Sequence, residues 1–186
     1  MRITNVEVIA KTRLPSPHPK RDAIQALPGT GSVKVVVTTE AGVQGTGEVG
    51  YGRIDGGPAV LAAVIEHTLK PLLLHQDLTM IRGVHQAMLR ETEYHGAFGL
   101  TMFGIAAVDT ALWDCLGKTL GVPCWQLWGR VNERIRAYAM VGWLNYDDKE
   151  VQEICAGAVA QGFRAVKIKV GYPTLKEDVR RVETVR

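Results

Sequence analysis

The sequence is sparing with the features that mark several large protein classes. It has three cysteines, Cys115, Cys124 and Cys155, an odd count with no CxxC spacing, so neither a disulfide framework nor a cysteine zinc site is indicated. Cys115 and Cys155 fall within predicted helices and read as buried free thiols. The formal net charge is only +3, and no run of Lys and Arg interleaves with aromatics, which excludes an obvious nucleic-acid surface. The stretch from Ala59 to Leu74 is among the most apolar, yet it carries Glu66, His67 and Lys70, which argues against a membrane span. Met1-Arg2-Ile3-Thr4-Asn5-Val6 lacks the apolar core and cleavage site of a secretory signal. The expectation is a reduced, cytoplasmic protein.

What is present has globular proportions. Of 186 residues, 46% are hydrophobic and 22% charged, enough for one domain and part of another. The first fifty residues or so read as an antiparallel meander. Val6 and Val8 alternate with Asn5 and Glu7 in a strand from Ile3 to Lys11. A Val-rich strand covers Ser32 to Thr39, and Glu40-Ala41-Gly42-Val43 turns it into a third strand, Val43 to Gly50. Two polar, Gly/Pro-punctuated stretches, Pro15 to Gly31 and Tyr51 to Gly57, are expected to be loops. Loops as long as the first are usually functional or disordered.

Helices follow. Pro58 opens one whose apolar residues, Val60, Leu61, Val64, Ile65 and Leu69, recur at helical spacing until Pro71 is expected to stop it. Asp77 caps a second helix running to Arg90. A third spans Leu100 to Leu120 with Leu100, Phe103, Ala107, Ala111, Leu112, Cys115 and Leu116 on its apolar face, and Gly121 with Pro123 ends it. Beyond Arg134 strands and helices alternate: Ile135–Trp143, Asp147–Gln161, Phe163–Val170, and Leu175 onward. Val151, Ile154, Cys155, Ala158 and Val159 supply the apolar face of the first of these helices. Such alternation marks βαβ units and a parallel sheet. Two units cannot close a barrel, so a truncated barrel is expected.

The segment that carries chemistry is Val166-Lys167-Ile168-Lys169-Val170. Side chains alternate along a strand, placing the two lysines on one face and the three apolar residues on the other. Taken alone, such a face can simply be solvated. In a parallel strand flanked by helices both faces are normally buried, and unpaired buried ammonium groups are costly, so a ligand or counter-charge is expected there. The C-terminal mouth is where such barrels place their active sites. Two amines suit proton abstraction next to a carboxylate: one cation holds the carboxylate, and the other amine takes the proton. A divalent metal neutralises the remaining charge. This general design is the known one for enolase-type sites.

The segment Phe163 to Pro173 resembles the second barrel strand of the mandelate racemase/muconate lactonizing enzyme family, within the enolase superfamily. Ala106-Ala107-Val108-Asp109-Thr110-Ala111-Leu112-Trp113-Asp114-Cys115-Leu116-Gly117-Lys118 is similar to the same family, as are Gly121-Val122-Pro123 and Leu127-Trp128-Gly129. The likeness covers essentially the whole chain. It implies an α+β capping domain (a three-stranded antiparallel meander plus helical bundle) over residues 1–127. Residues 128–186 would then be the first two βα units of a (β/α) TIM-type barrel, incomplete.

By resemblance, Lys169 matches the acid/base acting on the substrate's α-carbon, and Lys167 the lysine that neutralises the substrate carboxylate. His18 and Arg21 in the first capping loop and Tyr51 and Arg53 in the second are the candidate substrate-binding residues, though each equally suits a solvated loop. No metal ligand is assigned: the family's carboxylate ligands would lie beyond Arg186, with Mg2+ expected in the full-length enzyme. Glu91 and His95 alone have a ligand-like spacing, at the end of the second helix.

The implied activity is magnesium-dependent α-proton abstraction from a carboxylate, as a racemase or an acid-sugar dehydratase. Cycloisomerisation and dipeptide epimerisation are the sister readings. A non-catalytic α+β association module is the rival for the 186 residues as a separate chain, which alone are expected to be inactive. The expected partners are a small carboxylate or acid-sugar substrate and further copies of the chain as a homo-oligomer, with no nucleic acid and no membrane.

Overall fold

The computed structural model describes residues 1–51, 56–96 and 98–186. Its first sheet is the expected meander, with strands β1 (Ile3–Arg21), β2 (Ala26–Thr39) and β3 (Gln44–Tyr51) adjacent in that order. Strands β2 and β3 are antiparallel, with Val33 opposite Val49 and Val37 opposite Gly45.

The stretch Pro15 to Gly31 is not the loop expected. Strands β1 and β2 run through it, reducing the turn to four residues. Asp22 makes that turn without a glycine. Its backbone N–H donates to Gln25 O, and its carboxylate accepts from the N–H groups of Ile24 and Gln25, each at 2.9 Å. Tyr51 likewise belongs to β3 by its backbone, and residues 52–55 of the second expected loop lie outside the described residues.

Two compact units result. One comprises Met1–Leu14 with Thr30–Val131, and the other Pro15–Gly29 with Asn132–Arg186. In the first, α1 (Gly57–Val64) continues through a π-helical turn, Ile65–Leu69, into α2 (Lys70–Leu73). Pro71 therefore does not stop the run. In the π turn the Lys70 N–H already reaches back five residues, to Ile65 O, so the register has shifted where proline lacks its donor. Asp77 caps a 3₁₀ turn, Leu78–Met80, through the Thr79 N–H, and this leads into α3 (Ile81–Thr92). Helix α4 (Leu100–Leu120) ends at Gly121 as expected, followed by α5 (Cys124–Trp128).

By length and composition α4 is apolar enough to cross a membrane, yet Ile105, Val108, Ala111, Leu112 and Cys115 are buried in the core of this unit. Phe103, assigned to its apolar face, is instead exposed. The helix lies against β3 so closely that a Cβ on Gly47 would stand 1.9 Å from Ala107 O, and one on Gly45 would stand 2.2 Å from Ala111 O. Asp114 secures the contact by accepting from the Thr46 N–H at 2.7 Å.

The second unit pairs β4 (Ala139–Met140) with β5 (Val166–Lys167) in parallel, Met140 opposite Lys167. Between them runs α6 (Asp148–Ala160), capped by an Asp147/Glu150 box, and after them α7 (Leu175–Thr184), capped by Thr174/Glu177. Only two residues of the expected strand Ile135–Trp143 have full ladder geometry, and Ile135 is exposed. Val151, Cys155 and Ala158 form the buried face of α6, whereas Ile154 and Val159 are exposed.

Candidate active site

Strand β5 continues past its regular ladder: the Lys169 N–H donates to Gly142 O at 2.9 Å, and the Val141 N–H to Lys167 O at 2.9 Å. These bonds fix the two lysines beside the end of β4. As alternation requires, Ile168 points the other way, into the unit. There Gly142, at φ 69°, leaves room: a Cβ on it would meet Ile168 Cγ2 at 3.0 Å.

Lys169 is half-buried and Lys167 exposed. The Lys169 ammonium stands 5.0 Å from the centroid of the Trp143 ring, which follows β4, and the Lys20 ammonium stands 5.5 Å from the same ring. One indole thus faces two cations, an arrangement that helps to hold them without neutralising them.

The hairpin tip that carries Lys20 is tied to the end of β4. The Leu144 N–H donates to Arg21 O at 2.9 Å, and the Arg21 N–H to Asn145 Oδ1 at 2.9 Å. Asn145 Nδ2 donates to Pro19 O at 2.8 Å. The Asp22 carboxyl lies below the usual carboxylate range, chiefly through its bond from the Ile24 N–H, with the charge of Lys169 adding to the effect.

His18 and Arg21 sit on this hairpin in the same unit as the lysines; both are exposed, and the Ser16 hydroxyl donates to His18 O. The Tyr51 backbone belongs to the other unit, and Arg53 lies outside the described residues. Sequence reasoning passed over Lys20, Trp143 and Asn145. The alternation that puts His18 and Lys20 on one face of a strand is the signal that could have found Lys20, had the segment been read as a strand.

Among the described residues no group of three His, Cys, Asp or Glu side chains could hold a metal ion. The carboxylates near β5 are otherwise engaged: Asp178 accepts from the Gly171 and Tyr172 N–H groups, and Glu177 completes a helix cap. The donor set at this site therefore does not fit a divalent cation. Glu91 and His95 are exposed and belong to no such group. Burial pushes the thiols of Cys115 and Cys155 above their ordinary range, as suits packing groups rather than nucleophiles.

A meander backed by helices, followed by a βαβα unit with paired lysines on its second strand, defines an α+β capping-domain architecture. Residues 5–129 match the N-terminal domain of mandelate racemase / muconate lactonizing enzyme, and the chain belongs to that family. It is 32% identical over 171 residues to the arabinonate dehydratase of Saccharolobus solfataricus, covering 90% of this chain and 46% of that protein. Its structure is similar to a magnesium-bound racemase from Streptomyces coelicolor A3(2), with a TM-score of 0.89 and 31% identity over 99% of this chain and 51% of the other. It is also similar to L-talarate/galactarate dehydratase from Salmonella typhimurium LT2, liganded with Mg and L-lyxarohydroxamate, with a TM-score of 0.88 and 25% identity over 99% and 48% of the two chains. The chain thus spans about half the length of these relatives. Acid-sugar dehydratases, a cycloisomerase and racemases of the enolase superfamily are all among its relatives.

Proposed function

We propose that this chain supplies the capping domain and the first two βα units of an acid-sugar dehydratase. In this reading Lys167 holds the substrate carboxylate, and Lys169 takes the proton from the adjacent carbon. The observation that carries it is the placement of the Lys169 ammonium over Trp143, beside a docked polar hairpin that brings a further cation, Lys20. An acid sugar presents a carboxylate at one end and hydroxyls, or a second carboxylate, towards the other. A site with cations from both the strand and the hairpin suits it better than an apolar acid.

The steps assigned to this chain are few. Lys167 pairs with the carboxylate and draws the α-carbon up to β5. Acting as the base, the Lys169 amine forms an N–H bond as the α C–H bond breaks, and the electron pair moves into the carboxylate as an enolate. The enolate collapses as the β C–O bond breaks and the hydroxyl takes a proton to leave as water; the resulting enol loses its O–H proton and gains one at carbon 3, giving a 2-keto-3-deoxy acid. Magnesium enters the proposal through carboxylates outside residues 1–186.

Relatives that are dehydratases favour this outcome over the sister reading, cycloisomerisation, which has a relative of its own. The test is a panel of aldonates and aldarates incubated with the complete-barrel enzyme and magnesium, scored for 2-keto-3-deoxy products. Dehydration of at least one acid sugar supports the reading. Epimerisation at the α-carbon with no dehydration of any panel member contradicts it.

A further inference from the structure

The least expected group in the second unit is a cation on α7. Arg181 is only 3% exposed, and its hydrogen-bond acceptors are all uncharged. Nε donates to Lys169 O at 3.1 Å. One terminal nitrogen donates to Tyr146 O at 3.1 Å and to the Tyr172 hydroxyl at 3.2 Å, and the other donates to Trp143 O. The guanidinium also lies 5.6 Å from the Tyr172 ring, and the Tyr172 hydroxyl donates onward to Leu144 O at 2.6 Å. Burying a charge is costly unless its donors are satisfied, and here backbone carbonyls and a phenol satisfy them.

Those carbonyls are not scattered. Two belong to Trp143 and Lys169, the residues whose side chains face each other across the site, and Tyr146 belongs to the segment that follows β4. A single rigid fork therefore spans the C-terminal ends of both strands. We propose that Arg181 is a positioning residue for Lys169: it fixes the Lys169 backbone relative to Trp143, and so sets where the ammonium stands. The inference rests on the reading of Lys169 as the acid/base. The planar fork is essential to it, because a lysine ammonium has the charge but not the fixed directions that reach three carbonyls at once.

The expected signature is a loss of rate without a loss of binding, because a displaced base still leaves Lys167 free to hold the carboxylate. A misplacement on the order of 1 Å costs roughly 10²-fold in rate. In the complete-barrel enzyme, Arg181→Lys should lower kcat for α-proton exchange by about ten- to a hundredfold with KM changed less than about threefold. Val182→Ala, on the exposed side of the same helix, should leave both parameters unchanged.

Tyr172→Phe removes one acceptor of the fork but keeps the ring. It is the milder variant should Arg181→Lys fail to fold, and it should lower kcat by roughly two- to fivefold. Lys169→Ala is run alongside. If Lys169→Ala abolishes exchange while Arg181→Lys, or Tyr172→Phe where that is the folded variant, keeps the wild-type kcat, the positioning role is wrong and the reading of Lys169 stands. If Lys169→Ala itself exchanges at the wild-type rate, the underlying reading fails. A fall in kcat for Arg181→Lys that merely tracks its folded fraction in a melting curve also overturns the proposal.

Discussion

Replacing Asn145 by alanine should loosen the hairpin tip from the end of β4 by an amount the structure allows one to work out. Three hydrogen bonds hold the tip there, and the Asn145 side chain makes two of them, to the Arg21 N–H at 2.9 Å and to Pro19 O at 2.8 Å. A typical intramolecular hydrogen bond contributes about 0.5–1.5 kcal/mol net. Asn145 is exposed, so the lower half of that range applies, and together the two bonds are worth about 1–2 kcal/mol. That lowers the ratio of docked to undocked tip by about five- to thirtyfold, since 1.4 kcal/mol is a factor of ten.

The third bond, from the Leu144 N–H to Arg21 O, survives the substitution chemically but is made only while the tip is docked. Amide hydrogen exchange at Leu144 is therefore the assay, and its protection should fall by the same five- to thirtyfold factor (about) in Asn145→Ala. The Lys169 amide, bonded to Gly142 O, should keep its protection as an internal control. Unchanged protection at Leu144 would show that Asn145 does not hold the tip.

Other consequences are equally direct. Gly47→Ala should lower stability by about 3 kcal/mol, the upper end for overpacking, because the clash is with helix backbone at Ala107 rather than with a movable side chain. Gly50→Ala, which meets nothing within 4 Å, should be near neutral when the two variants are compared by thermal melting. Asp178 is held below the usual carboxylate range, first by the Gly171 N–H and then by the Tyr172 N–H. Its contribution to stability is therefore complete above its unfolded value and lost as pH falls through the lower, folded value, so Asp178→Asn should flatten the acid limb of a stability–pH curve. An acid limb unchanged by the substitution would contradict this. Lys20→Met should lower kcat/KM more for aldarates than for aldonates by about tenfold, roughly one charge-assisted hydrogen bond, and a uniform fall across the panel would deny the hairpin any role in selection.

Much of the scaffold was legible because its signals are local. Gly121 and Pro123 end α4, Val151, Cys155 and Ala158 recur along the buried face of α6, and the alternation around Lys167 and Lys169 gives β5 its two faces. The hairpin was not legible. Pro15, Pro17, Pro19 and Pro28 suggest a loop, and the turn residues Asp22-Ala23-Ile24-Gln25 lack the Asn-Gly or Asp-Gly pair that normally announces a tight hairpin. Asp22 supplies by side-chain hydrogen bonds what glycine would supply by conformation. Pro71 misled for a related reason, since a proline can be carried through a helix by a π turn that no periodicity reveals. In the site, the lysine pair was visible as a pattern. Trp143, Asn145 and Arg181 were not, because what they touch is backbone or a side chain far away in the sequence: the partners of Arg181 lie 9 to 38 residues before it.

The central claim is that Lys167 and Lys169 divide the work of binding the carboxylate and moving the α-proton. The measurement that tests it most directly is exchange of the α-proton with deuterated water, followed for each stereoisomer of a substrate in the complete-barrel enzyme carrying Lys169→Ala or Lys167→Ala. The account predicts that Lys169→Ala abolishes exchange from at least one stereoisomer with substrate binding largely intact, whereas Lys167→Ala weakens both binding and rate. Exchange at the wild-type rate from every stereoisomer in Lys169→Ala would contradict it and leave the lysine pair a structural role.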